Sequence, residues 1–214
     1  MNEADTTHPR PTALQQAGIA DRRFGAAGLQ LNEIEDPVLL RLLSLEDLPG
    51  AGPGALALPG RVGQVSQAGP GSGGNLAALC LAPGEWLLVS SAKAPPDSPA
   101  DLAERLHREL ATELTMVCDQ SDALAGIRVT GPAAPWLLGK LSCLDFARGT
   151  AAGPHCARTR MGDAAVVVHY HEASADAWVF DLYFDRSFAH WLWGLLCASA
   201  PHAAELHQEF GAFA

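Results

Sequence analysis

The sequence predicts an α+β fold, antiparallel sheets with helices packed on them, and three observations predict it. Residues 76–81 and 85–90 flank Ala82-Pro83-Gly84 and read as two strands joined by a tight turn. Residues 156–160, 164–171 and 177–184 read as a three-strand meander followed by a helix. Gly84-Glu85-Trp86-Leu87-Leu88-Val89 and Asp176-Ala177-Trp178-Val179-Phe180-Asp181 echo each other, each followed by a helical stretch. The echo divides the chain into two related strand-and-helix halves.

Residues 1–25 carry Thr, Pro, Gln and Ala without apolar periodicity, so they read as a disordered lead-in, with the folded domain over 26–214 and its halves near 26–118 and 119–200. From 48 to 74 the Gly and Pro content implies long loops, with only 55–58 and 62–65 short enough and apolar enough to form elements. Trp86, Leu88 and Ser90 alternate onto one strand face. Ser98 then offers an N-cap ahead of Pro99, and Leu102, Leu106 and Leu110 form the apolar stripe of a helix. Residues 114–119 and 126–129 read as strands, and Gly131-Pro132 opens a helix carrying Trp136, Leu137 and Leu141. In the meander, Trp178, Phe180, Leu182 and Phe184 share a face. Asp185 or Ser187 caps a last helix, with a stripe of Phe188, Trp191, Leu192, Leu195 and Leu196 and one more turn beyond Pro201.

At 214 residues and 48% apolar content the chain is long enough to bury a core. A net charge of −10 without a basic stripe argues against nucleic acid. No apolar run approaches the roughly 18 residues of a membrane span, and the N-terminus lacks the basic and apolar regions of a signal peptide. Five cysteines stand singly, without a C-x-x-C pair, which fits a reducing cytoplasm.

Several residue groups carry potential chemistry. Gly69-Pro70-Gly71-Ser72-Gly73-Gly74 satisfies G-x-G-x-x-G, but the segment after it reads as a strand and not as the helix a dinucleotide site needs, so a loop fits better. His169 and His171 share a strand face, with His155 a candidate neighbour, but no third ligand has recognisable spacing; surface or interface histidines are the plainer reading. Cys118 and Cys156 read as buried strand cysteines ahead of nucleophiles. Asp119, Ser121 and Asp122 end an apolar strand, where side chains can converge with Trp86 on a ligand, although turn residues need no such role. The tryptophans outnumber what one helix needs inside, which leaves one for a partner surface.

These elements also resemble a known family. Leu81-Ala82-Pro83-Gly84-Glu85-Trp86-Leu87-Leu88 is similar to the L-G-P-D-E-W-L-L element of sarcosine oxidase γ subunits. Asp119-Gln120-Ser121-Asp122, the run Ile127-Arg128-Val129-Thr130-Gly131-Pro132-Ala133-Ala134, Cys156-Ala157-Arg158-Thr159, and Arg186-Ser187-Phe188-Ala189 with Trp191 and Leu195 follow in the family's order. The resemblance spans residues 29–197. It implies a folate-binding aminomethyltransferase-like fold and an accessory subunit in a heterotetramer with α and β type flavin-bearing subunits. That complex oxidatively demethylates sarcosine and passes the one-carbon unit to tetrahydrofolate, and the resemblance puts FAD, FMN, NAD, zinc and tetrahydrofolate on other subunits. It implies no catalytic residue and no metal here. In the related glycine-cleavage T-protein, "D-V-S-H-M" and "G-P-D-A" elements match Asp119 to Asp122 and Gly131 to Ala134, but Asp122 stands in the histidine's place. Ala164-Ala165-Val166-Val167 replaces the strand that carries the T-protein's acidic pair, with Asp163 one residue earlier. A folate pocket near Trp86, Asp119, Ser121 and Asp122 is therefore expected to be vestigial, and a stand-alone folate-binding protein is the alternative. The K-G-C-Y-x-G-Q element of the iron-sulfur-assembly branch is absent from the sequence.

Overall fold

A computed structural model describes residues 11–46, 48, 56–68, 76–90, 99–110, 114–146, 153–171 and 178–211. Among the described residues, eleven strands form two antiparallel sheets. The first sheet is ordered β4 (Val65–Gln67), β5 (Leu76–Ala82), β6 (Glu85–Ser90), β3 (Val38–Ser44), β7 (Thr115–Asp119). The second is ordered β1 (Arg23–Ala26), β2 (Leu29–Glu33), β8 (Leu124–Thr130), β11 (Val179–Asp185), β10 (Ala164–Tyr170), β9 (His155–Met161). Helices α1 (Ala13–Gln16), α2 (Pro99–Leu110), α3 (Ala134–Leu141) and α4 (Ala189–Phe210) complete the fold. The α+β architecture is the one the sequence predicts.

Three apolar layers follow from strand alternation. Phe180, Leu182 and Phe184 of β11 face α3 and α4, together with Leu192 and Leu196 of α4. Trp86 and Leu88 of β6 face the opposite outer side, against Leu106 of α2. Leu39, Leu79, Leu87 and Tyr183 fill the space where the two sheets meet. The sheets thus pack face to face, with helices outside, and any polar group in the middle layer is shut between two strand surfaces.

Both halves of the echo are visible. The meander β4-β5-β6 neighbours β3 as β9-β10-β11 neighbours β8, and a helix follows β6 and β11. The division at 118/119 is corrected, however: β1 and β2 pair into the second sheet through Leu31 opposite Val129, so residues 38–119 form one sheet and the flanking segments the other. A strand supplied from the N-terminal side takes the place beside β8 that β7 takes beside β3.

The lead-in is corrected too. Thr12 and Gln15 form a capping box on α1, and Leu14 is buried. Glu33 accepts from Thr12 Oγ1 at 2.7 Å and from the Leu14 amide at 3.0 Å, while Arg186 Nη2 donates to the Pro11 carbonyl at 2.6 Å. Order over 11–25 comes from these partners distant in sequence, which local periodicity does not register. Residues 1–10 lie outside the described residues, as do Ser98 and residues 69–75; β5, a strand, begins at Leu76 after that Gly-rich segment.

Smaller shifts have local causes. Residues 56–58 form no regular element, although Leu56 and Leu58 are buried. Gly131 makes a turn before α3, with φ +113 and room for no Cβ beside the Gly28 backbone, so the helix starts at Ala134. Helix α4 continues through Pro201 to Phe210. Its buried face runs Leu192, Leu196, Ala200, Ala203, which turns Trp191 outward at 41% exposure. Small alanines let the second half of α4 approach the core where large side chains do not fit.

Candidate functional site

A polar cluster lies in the middle layer. On β11, the apolar residues at even positions face the helices, so Asp181 and Tyr183 point between the sheets; on β10, His169 does the same. Register places Asp181 opposite both Arg128 of β8 and His169 of β10. Arg128 Nε donates to Asp181 Oδ1 at 2.7 Å and Arg128 Nη2 to Oδ2 at 2.7 Å, a bidentate pair. His171 Nε2 and Asp181 Oδ2 are 2.7 Å apart, and the Tyr183 hydroxyl donates to the same oxygen at 3.4 Å.

Asp181 is fully buried. Burial pushes its pKa up, but the hydrogen bonds from Arg128 and His171 outweigh that and bring it down to about 2, so the carboxylate is ionised. Burial drives His169 down to about 3, with His171 adding to the effect, so its imidazole is neutral. The rings of His169 and His171 are 4.0 Å apart at their centroids. Neither His169 nitrogen meets a protein hydrogen-bond partner among the described residues, although the residue is 1% exposed. A cavity of about 280 Å³ opens onto this group, lined also by Gln67, Leu76 and Val89.

Beyond Tyr183, a second cavity of about 300 Å³ runs between the sheets past Leu87 and Val167 to Arg41 and Arg158. Both arginines pair with Glu85, Arg41 at 2.7 Å. Glu85 and Arg158 come from the two motifs Gly84 to Leu88 and Cys156 to Thr159, so these motifs lock the sheets together across the layer.

The sequence-derived candidates are dispersed. Trp86 is buried on the α2 side, its indole N–H donating to the Pro59 carbonyl at 2.8 Å. Asp119 Oδ1 accepts from the Ser121 amide at 2.9 Å, and Ser121 Oγ accepts from the Leu39 amide at 3.0 Å, so both serve the turn into β8. Asp122 is exposed and borders a small cavity of about 40 Å³ with Ser121. Asp163 is exposed in the turn before β10, and Ala164 is buried against the helices.

Among the histidines, His169 is buried and not at the surface, because β10 lies inside its sheet and the first sheet covers its inner face. His155 pairs with Tyr170 in register, their rings tilted against each other with centroids 4.9 Å apart, which puts it on the other face. Cys156 is buried, and burial pushes its thiol up to about 12, which removes it as a nucleophile at neutral pH. Cys118 is exposed on β7, not buried, because β7 ends its sheet. Sequence reasoning missed Asp181, Arg128 and Tyr183. The signal was present: a lone aspartate inside the apolar alternation of β11 has to face away from Phe180 and Leu182, toward whatever covers the sheet.

No protein-family model matches the sequence, and no curated protein sequence matches it significantly. A solved structure does match in fold: a chain of the heterotetrameric sarcosine oxidase from Corynebacterium sp. U-96, in complex with pyrrole 2-carboxylate, aligns with a TM-score of 0.67 at 23% identity. The alignment covers 96% of this chain and 98% of that one. Over nearly its whole length, this chain therefore has the α+β fold of a chain of heterotetrameric sarcosine oxidase.

Proposed function

We propose that this chain is the small γ-type accessory subunit of a heterotetrameric sarcosine oxidase, contributing interface and stability and no active site of its own. The observation that carries the reading is the end-to-end agreement in fold, with neither chain having a large unmatched segment. The ordered motifs between Leu81 and Leu195 point to the same assignment independently.

In this reading the partners are α and β type flavin-bearing subunits. FAD, FMN, NAD, zinc and tetrahydrofolate serve the oxidative demethylation of sarcosine on those other subunits. Surface composition supports a life in a complex. Leu45 is 86% exposed, and with Leu114 and Met116 it borders a groove of about 460 Å³ beside the terminal strand β7. Exposed apolar side chains gathered in one place are a feature of surfaces that partners cover.

A direct test uses the purified chain alone. It is expected to form no peroxide from sarcosine, and sustained turnover would contradict the proposal. Tetrahydrofolate is expected to leave its tryptophan fluorescence unchanged; saturable quenching would favour the stand-alone folate-binding alternative.

A further inference from the structure

We propose that His169, His171 and Asp181 form a binding site for one divalent transition-metal ion of the zinc class, with a coordination position open to the adjoining cavity. Two imidazoles and a carboxylate are a donor set that such ions take. Their ligand atoms lie within 4.8 Å of one another. Around an ion with bonds of about 2.0–2.1 Å, ligand atoms sit roughly 3.3 Å apart, so the set closes by side-chain rotations of about an ångström or two.

A second observation points to a ligand. His169 is buried, both its nitrogens lack a protein partner among the described residues, and the ring lines the cavity. A buried polar group without a partner is costly and rare, and a Lewis acid at one nitrogen relieves it.

Arg128 has a defined part in the arrangement. It holds Asp181 by both oxygens, so Asp181 can keep Oδ1 on Arg128 Nε while Oδ2 exchanges its contacts with Arg128 Nη2 and His171 for one to the ion. An outer partner of this kind orients a ligating carboxylate. The guanidinium also repels a second cation, which places the site among readily exchanging ones and not among closed structural centres. Oxygen-preferring Mg²⁺ and Ca²⁺ are poor matches to two imidazoles.

The test is a titration of the chelator-stripped full chain with Co²⁺, followed by displacement with Zn²⁺. The expected result is one equivalent of Co²⁺ with visible d–d bands, bleached by Zn²⁺ and unaffected by excess Mg²⁺. His171→Gln, at a half-buried position that tolerates the change, and His169→Ala, checked for folding by circular dichroism, should each weaken binding more than the roughly 10- to 100-fold that loss of an outer partner costs. His202→Ala, remote from the site, should bind as the parent does. Absence of the bands in the parent chain, or bands that persist in both His171→Gln and His169→Ala, would overturn the proposal.

Discussion

Arg128 and Asp181 stand directly opposite each other on the neighbouring strands β8 and β11 of one sheet and are joined by two hydrogen bonds of 2.7 Å on the face that meets the other sheet. The pair is lopsided in exposure: the Asp181 side chain is 1% exposed and that of Arg128 35%. Removing the arginine therefore strands a charge that water cannot reach.

Arg128→Ala is expected to lower unfolding free energy by about 3 kcal/mol, measured by urea denaturation, because the buried Asp181 carboxylate loses its guanidinium partner and keeps only the contacts with His171 and Tyr183. Replacing both residues with leucine should recover much of that loss. A single substitution costing less than a surface change would mean that the buried carboxylate does not depend on the arginine.

Thiol chemistry should divide the cysteines by layer. Cys118 and Cys143 are exposed and should react with a thiol reagent in the native protein, whereas Cys80 and Cys156 are buried and should react only on unfolding. The folded Cys156 keeps its proton to about 12, against 9.0 for an unperturbed thiol, so the folded state binds the extra proton between these values. Its contribution to stability is complete below 9.0 and is lost as pH rises toward 12, by at most about 1.4 kcal/mol per pH unit. Cys156→Ala should lack that part of the alkaline loss; an identical alkaline slope in parent and variant would refute the assignment.

Gly131→Ala should destabilise by about 2 kcal/mol or more in thermal or urea unfolding. The glycine sits at φ +113, and an added Cβ would meet the Gly28 carbonyl oxygen, so backbone has to move. This contact joins the β1–β2 turn to the start of α3, which gives the Gly131-Pro132 motif a packing reason. A neutral substitution would show that the turn relaxes freely.

Much of this fold was legible where punctuation and alternation coincide. Pro83-Gly84 marks the β5–β6 turn, with Gly84 at φ +70, and Trp178, Phe180 and Leu182 share the helix-facing side. The segments that escaped were held by partners far away in sequence. Leu14 is buried beside Glu33 contacts, and the run Val38 to Ser44 becomes a central strand through β6 and β7, with no alternation to announce it. The polar cluster escaped for the same reason, since His169 and Asp181 meet across a strand pair and Arg128 joins them from a third strand. Conversely, the turn-forming tendency of Asp119 and Ser121 was visible, and the structure uses them as turn residues.

The proposed membership of a sarcosine-oxidase complex is open to test by affinity purification of the tagged full chain from its native cells, with mass spectrometry and flavin absorbance on the eluate. The expected result is co-elution in fixed ratio with larger flavin-bearing subunits and sarcosine-dependent peroxide formation by the assembly. Elution as a monomer, or with partners that carry no flavin, would contradict it.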